Sequence, residues 1–495
     1  LYVEHHCARC HQTPVGEQSM FELSLRPPDL SAAGHRLTSG WLQRWLVAPR
    51  RIKADTRMPA VLGESDDAAR DAADISTYLL AQQGDGAKPP WPQVKPGQAT
   101  LQDGESLFES LGCIGCHHFE AAGHTDEWGR RSLRWAGTKY RSGALAQFLK
   151  NPAAHDAASE MPLFRLTDAE VVALARFVRS KSSPAPAGGV RVGNAARGRK
   201  LFDRTGCQQC HSLGRSSVKN PTRVAWSVTA DNGGCLASAK RSGKSTAPDF
   251  GFSDDHRRAL RDFIRNDLHS LQRSSPSETS RRLVQRLRCG GCHDRDGQRS
   301  HRPLVIAEFG SGRVPQPLPA LTWAGEKLRP AWTESLLAGK LTYKSRPWLA
   351  ARMPSFPAYA QALARGLAAE HGVDPHQRFR PDFDAGLVEV GEKLTRQTAL
   401  DCRQCHGIGD QLPRGDKNTK INLGINFSYI RERLRREGYD RLMLDPPRYD
   451  INNRMVKLSA NGLSTKLRQY FDADARRQFA AVWHYIQSLP ADPGR

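Results

Sequence analysis

One five-residue pattern, Cys-x-x-Cys-His, occurs five times in this chain of 495 residues and limits what it can fold into more than any other feature. The copies use ten of the eleven cysteines: Cys7 and Cys10, Cys113 and Cys116, Cys207 and Cys210, Cys289 and Cys292, and Cys402 and Cys405. A histidine follows each pair directly: His11, His117, His211, His293 and His406. The pattern is the signature of covalent c-type haem attachment, in which both thiols add to the haem vinyl groups and the imidazole binds the iron. The sequence therefore predicts five covalently attached haem c groups as cofactors.

Two other uses of paired cysteines explain the pattern less well. A structural zinc site usually draws its four ligands from two pairs that lie close together, whereas these motifs begin at residues 7, 113, 207, 289 and 402. A disulfide redox motif has no need of a histidine directly after the second cysteine in every copy. Haem attachment accounts for both the spacing and the histidine.

The motifs recur at about the length of one small domain, so the chain is predicted to form five domains in a row. The predicted boundaries are 1–85, 98–182, 191–274, 276–375 and 384–492. Stretches rich in Pro and Gly at 84–97 and 182–189 are predicted to be extended linkers. In each domain we expect a helix before the motif, a helix with apolar residues at helical spacing after it, and a terminal amphipathic helix. The predicted fold class is all-α, with five tandem haem-binding domains joined by Pro/Gly-rich linkers.

This organisation resembles that of tandem class I cytochrome c domains, and the resemblance covers almost the whole chain. The second domain carries it most fully, with residues 135–140 (WAGTKY) followed by Met161-Pro162. The stretch 41–49 (WLQRWLVAP) followed by Met58-Pro59 is similar to the cytochrome domains found with extracytoplasmic dehydrogenases. The resemblance implies a helical shell around each haem, with a histidine on one side of the iron and a methionine on the other.

Four methionines stand where that pattern requires a sixth iron ligand: Met58 for the first haem, Met161 for the second, Met353 for the fourth and Met455 for the fifth. The first three precede a proline, which fixes the backbone beside the ligand. Met455 lacks that proline and has Met443 nearby, but the residues 453–455 (NRM) parallel 56–58 (TRM). A thioether ligand raises the reduction potential of the iron relative to a second histidine.

The third domain departs from the pattern, because no methionine lies between Met161 and Met353. Aligned with Met161-Pro162, the third domain has Ala247 at the ligand position. Cys235 is the one cysteine outside the motifs, and we hypothesise that it is the sixth ligand of the third haem, which would lower that potential. The alternatives are Lys240, Lys244, His256, an open iron, or a free thiol that acts as a small apolar side chain.

Charge and the start of the chain bear on partners and location. The formal net charge of +22 favours an acidic docking surface on a redox partner protein, or an anionic membrane surface. Nucleic acid is not a predicted partner, because the basic residues are dispersed and no binding motif accompanies them. Haem attachment of this kind takes place outside the cytoplasm, so a periplasmic or other extracytoplasmic location is expected. The helix before the first motif is incomplete at Leu1, and we expect that the chain begins inside a longer or processed polypeptide.

The leading functional hypothesis is electron transfer between a redox enzyme and another carrier, as a subunit or segment of a larger complex such as a dehydrogenase or respiratory complex. Iron with both axial positions filled exchanges electrons without binding substrate, so no catalytic residues are predicted. The alternative is a haem enzyme or sensor with its site at the atypical third haem. A scaffold or polymerising cytochrome is a third possibility that no residue singles out.

Overall fold

The computed structural model describes residues 1–14, 19–63, 66–82, 93–95, 97–120, 126–184, 189–214, 234–237, 247–313, 315–377, 379, 383–415, 423–448, 450 and 453–490. About half of the chain is helical with few strands, in agreement with the predicted helical fold class. The chain divides into two compact units, residues 1–275 and 276–495. The five domain boundaries themselves stay a prediction, and most of the predicted linker 84–97 lies outside the described residues.

The first unit contains eleven described helices: α1 Ala33–Arg36, α2 Ser39–Val47, α3 Pro49–Ile52, α4 Asp66–Leu80, α5 Leu101–Ser110, α6 Ala136–Lys139, α7 Ala144–Lys150, α8 Pro152–His155, α9 Asp168–Lys181, α10 Ala195–Arg204 and α11 Asp254–Asn266. Its described strands are β1 His117–His118 and β2 Arg131–Ser132, which pair in parallel. Short 3₁₀ helices cover Cys7–Arg9, Phe21–Ser24, Cys113–Gly115, Cys207–Gln209, Gly234–Leu236 and Leu268–Gln272.

The second unit contains nine described helices: α12 Pro276–Arg286, α13 Arg302–Phe309, α14 Ala324–Lys327, α15 Pro330–Leu337, α16 Ala360–Ala369, α17 Ala385–Thr395, α18 Phe427–Arg433, α19 Arg436–Leu444 and α20 Ala475–Ser488. Its described 3₁₀ helices cover Cys289–Gly291, Pro357–Tyr359, Cys402–Gln404, Pro446–Arg448 and Phe471–Ala473. No described helix in either unit is both long enough and apolar enough to cross a membrane.

Four pairs of crossing helices form the cores. In the second unit α12 packs on α16 and α17 packs on α20, and in the first unit α5 packs on α9 and α4 packs on α10. A glycine permits the close approach in several pairs. A Cβ atom added to Gly104 of α5 would lie well under 3.0 Å from the carbonyl oxygen of Ala173, and one added to Gly391 of α17 would meet the carbonyl of Ala481 in the same way. The second to fifth motifs therefore each follow a helix whose direction is fixed by a second helix.

The pair formed by α4 and α10 crosses the predicted domain boundaries, because α4 belongs to the predicted first domain and α10 to the predicted third. Leu201 and Phe202 of α10 are buried in one cluster with Ile75 and Leu79 of α4. Burial of that apolar face determines the pairing, since α10 places both residues on the side that faces α4. The core around residues 33–80 is thus completed by a helix more than a hundred residues away in the sequence.

Short helices of neighbouring predicted domains meet in matching backbone bridges. In the first unit Leu37, which follows α1, forms an antiparallel bridge with Tyr140, which follows α6. In the second unit Leu328, which follows α14, forms the same bridge with Leu434, which follows α18. Two backbone hydrogen bonds of 2.9 and 3.0 Å close each bridge. Equivalent segments therefore join predicted domains within each of the two units.

Candidate haem sites

All five Cys-x-x-Cys-His motifs adopt the same backbone turn. The residue before the first cysteine has a left-handed conformation, with φ between 52° and 85°, and a single turn of 3₁₀ helix follows. In each turn the backbone N–H of the second cysteine donates to the carbonyl of the first at 3.0–3.2 Å. No disulfide bond joins any of the eleven cysteines. The turn thus holds the two sulfur atoms of each motif outside any disulfide, as thioether formation requires.

Four of the five motif histidines are held by the same two hydrogen bonds. The first joins the histidine Nδ1 to a backbone carbonyl: His117 to Arg131 at 3.2 Å, His211 to Pro28 at 2.9 Å, His293 to Pro319 at 2.7 Å, and His406 to Ile425 at 2.7 Å. In the second bond, the N–H two residues beyond that carbonyl donates to the carbonyl of the residue after the histidine: Leu133 to His118, Leu30 to Ser212, Leu321 to Asp294, and Phe427 to Gly407, at 2.7–2.9 Å. We call this pair of bonds the histidine clamp.

The clamp sets the chemistry of the imidazole. A carbonyl oxygen only accepts hydrogen bonds, so Nδ1 carries the proton and Nε2 keeps its lone pair for a metal. Burial lowers the pKa of His211, His293 and His406 from the ordinary value, and it also lowers the pKa of His11. The neutral ring that results is the form that ligates iron.

The fifth motif opens into a cavity of about 260 Å³. His406, both motif cysteines (Cys402 and Cys405) and the predicted ligand Met455 all line it. Apolar side chains form most of the remaining wall, among them Leu400, Ile425, Phe427, Ile430, Leu434 and Val482. Burial raises the pKa of the Cys402 thiol to about 12, so this thiol is neutral before attachment. The residues fit a porphyrin joined through two thioethers, and such a group supplies a one-electron iron couple.

Three of the predicted methionine ligands share a local backbone lock. The N–H of Met58 donates to Thr56 Oγ1 at 3.2 Å. The N–H of Met161 donates to Ser159 Oγ at 3.2 Å, and that of Met455 to Asn453 Oδ1 at 3.0 Å. A polar side chain two residues before the methionine therefore fixes its backbone in each case. Met443 also lines the fifth cavity but is buried in the core cluster, so the lock distinguishes Met455 from it.

Met353 does not share that arrangement. Ala351 stands two residues before it and has no side-chain acceptor, and the Met353 side chain is 42% exposed. Its assignment to the iron of the fourth haem stays a prediction.

Cys235 lies beside the first motif rather than the third. It is close enough to Cys7 to contribute to the raised pKa of that thiol, which burial lifts to about 12. Its neighbour Leu236 packs in the cluster that contains Cys7. His256, an alternative ligand, faces Phe252 of the same cluster. The sequence predicts Cys235 as a ligand of the third haem because this residue follows the third motif. In the fold Cys235 lies beside the first motif instead, because α11 and the described residues before it pack there. Lys240 and Lys244 lie outside the described residues.

Four buried or partly buried cations recur at one structural position that the sequence analysis missed. Each directly precedes a bridge residue: Arg36, Lys139, Lys327 and Arg433. Burial lowers all four pKa values, those of Lys139 and Lys327 to about 8 and about 7 and that of Arg433 to about 9. At each bridge the positive charge of the arginine lowers the pKa of the lysine further. The recurring Ala-Gly-x-Arg/Lys of residues 33–36, 136–139 and 324–327 was the available signal.

Two positive charges that lie close together and are buried need an anion beside them to be stable. Haem carries two propionates, and Lys327 lines the same cavity as His406 and Met455. Lys327 and Arg433 would hold a propionate of a haem bound at the fifth motif. Arg36 and Lys139 occupy the equivalent positions at the bridge of the first unit.

Replacing Lys327 by Met is expected to lower the reduction potential of one haem. A positive charge beside the porphyrin favours ferrous iron, and its loss should shift that potential by on the order of 60 mV, equivalent to a tenfold change in a one-electron equilibrium. In the unaltered protein the same potential should fall as pH rises through the Lys327 pKa, because deprotonation removes the charge. Without haem, burial, with Arg433 and Arg346 adding to it and Asp450 opposing it, lowers that pKa to about 7; a propionate beside Lys327 would raise it again.

The measurement is a spectroelectrochemical titration of the holoprotein at several pH values. Lys340→Met is the matched control, since Lys340 is exposed. A Lys327→Met protein with all potentials unchanged at neutral pH would contradict the placement of this cation beside a haem.

Paired helices, a Cys-x-x-Cys-His turn, a clamped neutral histidine and a locked methionine together define a covalent haem site of the c type. Residues 101–182, which hold the second motif and Met161, match the family model described as cytochrome c. No curated protein and no solved structure matches the chain significantly. A cytochrome c domain is therefore present; it implies covalent haem c and suggests haem-based electron transfer.

Proposed function

We propose that this chain is a multihaem c-type cytochrome that carries five covalently attached haems and passes electrons between a redox enzyme and another carrier. The recurrence of the histidine clamp carries the proposal. Only one of the four clamps lies in the stretch that matches the cytochrome c family, yet the other three have the same two bonds at nearly the same lengths. A geometry repeated at sites so far apart in the sequence indicates a shared task.

The contacts between domains support electron exchange along the chain. The bridge between Leu37 and Tyr140 brings the surroundings of two motifs together in the first unit, and that between Leu328 and Leu434 does so in the second. The cation pairs beside these bridges would draw the propionates of neighbouring haems to a common place. Haems joined in this way would pass electrons to one another without a diffusing carrier.

The partners and the location follow from charge and chemistry. The net charge of +22 favours association with an acidic surface, as on a dehydrogenase or another respiratory protein, and also with an anionic membrane face. Covalent attachment of haem c takes place outside the cytoplasm, which supports a periplasmic or other extracytoplasmic location. The surplus of positive charge predicts that reduction by an acidic partner slows as ionic strength rises.

Carbon monoxide binding tests electron transfer against haem catalysis. Iron with histidine and methionine on its two axial positions offers no open site, so most haems of the reduced holoprotein should keep their spectrum under carbon monoxide. We expect a shift of the Soret band for at most one haem in five. A shift of all five would mean open iron throughout and would contradict the proposal.

A further inference from the structure

The second motif provides the reference for how a motif is enclosed in this protein. Five residues before its first cysteine stands Phe108 of α5, which packs on Phe177 of α9 with ring centroids 5.4 Å apart. Gly104, four residues before Phe108, abuts the carbonyl of Ala173 in α9. Both helices lie within residues 101–182, so this domain is closed by its own terminal helix.

The third motif repeats this geometry with a helix from the predicted first domain. Phe202 stands five residues before Cys207, and its ring lies 5.6 Å from that of Tyr78 in α4. Gly198, four residues before Phe202, abuts the carbonyl of Asp74 in α4. Aromatic pair and glycine contact therefore both assign α4 to the third motif.

The first motif is enclosed by α11, a helix of the predicted third domain. Tyr2 stands five residues before Cys7, and its ring lies 5.6 Å from that of Phe263 in α11. Phe252 and Leu260 are buried in the same cluster, against which Cys7 packs. Helix α11, which follows the third motif in the sequence, thus closes the first.

The histidine clamp follows the same exchange. In the second, fourth and fifth motifs the clamp comes from residues after the motif, but His211 is clamped by Pro28 and Leu30, which lie far before it. The Asp29 carboxylate also accepts a hydrogen bond from the Ser212 hydroxyl. The segment that would support a histidine of the first domain supports the third motif instead.

Met58 lies on the side of the third motif. It packs against the cluster of α2, α4 and α10 that also receives Cys207. Trp45 of α2 directs its indole N–H to the Met58 sulfur at 2.8 Å. The loop that carries Met58 lies against the loop that carries Ala247. Ala60 and Asp249, each two residues beyond these positions, exchange two backbone hydrogen bonds of 2.8 and 2.9 Å.

We propose that the first and third motifs exchange their enclosing segments, so that the haem on Cys207, Cys210 and His211 takes Met58 as its sixth ligand. The inference rests on the proposed function, since both motifs must carry haem. The third haem is then an ordinary histidine–methionine haem with a raised potential.

The atypical haem becomes the first, which α11 and the residues around Phe252 enclose. Ala247 stands at the methionine position of that enclosure, opposite the loop of Met58. The reason for a catalytic or sensing site at the third motif, the lack of a methionine for it, therefore disappears.

The test assigns Met58 to one haem in full-length holoprotein. The readout is the long-wavelength charge-transfer band that an iron–thioether bond gives in ferric haem, measured per chain. Met58→Ala should remove about a quarter of this band, since four thioether-ligated haems are predicted. The same substitution should remove nothing further when Cys207 and Cys210 are both replaced by Ala, and should still remove its share when Cys7 and Cys10 are replaced.

The reverse result, with the loss abolished only when Cys7 and Cys10 are replaced, would overturn the exchange. Haem content measured on the same samples separates the two proposals. Five haems with the reverse pattern refute only the exchange, whereas a parent protein without covalent haem refutes the proposed function as well.

A second measurement covers the case in which a haem-deficient variant does not fold. Gly198→Ala should increase hydrogen exchange in residues 66–80, as its matched counterpart Gly104→Ala should in residues 168–181, because each added methyl meets the carbonyl of the facing helix. An increase for Gly198→Ala in residues 254–266, with 66–80 unchanged, would show that α10 pairs with α11 and would overturn the exchange.

Discussion

Replacing Cys402 and Cys405 together by Ala is expected to remove one haem of the five and to unfold the helical core around the fifth motif. The cavity at this motif measures about 260 Å³ and is mostly apolar. Leaving a cavity of that size empty costs on the order of 6 kcal/mol, which is comparable with the whole stability of a small domain. Helices α17 and α20 should therefore lose their protection from hydrogen exchange.

Haem content and hydrogen exchange, measured together on the purified variant, check this prediction. Cys235→Ala is the control, because it removes the one cysteine outside the motifs and should leave five haems and full protection. A double variant that keeps α17 and α20 protected after losing its haem would show that this core does not depend on the cofactor.

Gly391→Ala should destabilise the same core without touching a haem ligand. A methyl group there would lie well under 3.0 Å from the carbonyl of Ala481 and from the Tyr485 side chain. A backbone carbonyl within a helix cannot move aside, so α17 and α20 must separate, at a cost of about 3 kcal/mol. Chemical denaturation of the holoprotein, followed by the loss of protection in α20, measures the change.

Gly386 provides the matched control in the same helix. A methyl group at this position would meet only the Asp384 carboxylate, at 3.2 Å. Because Ala favours a helix over Gly by up to about 1 kcal/mol, Gly386→Ala should be neutral or stabilising. Equal effects of the two substitutions would contradict the close crossing of α17 and α20.

The sequence alone predicts those parts of the sites that are formed by residues close together in the chain. The Cys-x-x-Cys-His pattern specified five turns, and all five have one backbone conformation. The choice of Met455 over Met443 relied on the parallel with residues 56–58, and the structure shows the same N–H lock at Met58 and Met455. Short motifs of this kind carry their own geometry, which makes them readable without the fold.

The sequence alone does not predict that α4 packs against α10. Phe108, Phe202 and Tyr2 all stand five residues before a cysteine, and Phe177, Tyr78 and Phe263 are all aromatic residues on the last α-helix of a predicted domain. Each motif helix could accept any of these partners as far as local pattern goes. The choice depends on contacts spread over the surface, such as the ion pair between Arg197 and Asp74 at 3.0 Å. The sequence prediction pairs each motif helix with a later helix of the same predicted domain, whereas in the fold α10 of the predicted third domain packs on α4 of the predicted first domain.

The buried cations show a different limit. Lys139 and Lys327 look like ordinary surface lysines in a chain rich in basic residues. Only the bridge that follows each of them removes the side chain from water and places it beside the cation of the neighbouring domain. The Ala-Gly-x-Arg/Lys pattern marks the position of these lysines, but their burial, on which the proposed role in holding a propionate depends, comes from the packing of two bridge segments.

The most direct test of the central claim, five haems joined to one chain, is mass spectrometry of the native protein followed by peptide mapping. We expect the intact mass to exceed that of the polypeptide by five haems. Each of the peptides that contain Cys7, Cys113, Cys207, Cys289 and Cys402 should carry one of them. Recovery of any of these peptides without haem from the mature protein would contradict the account.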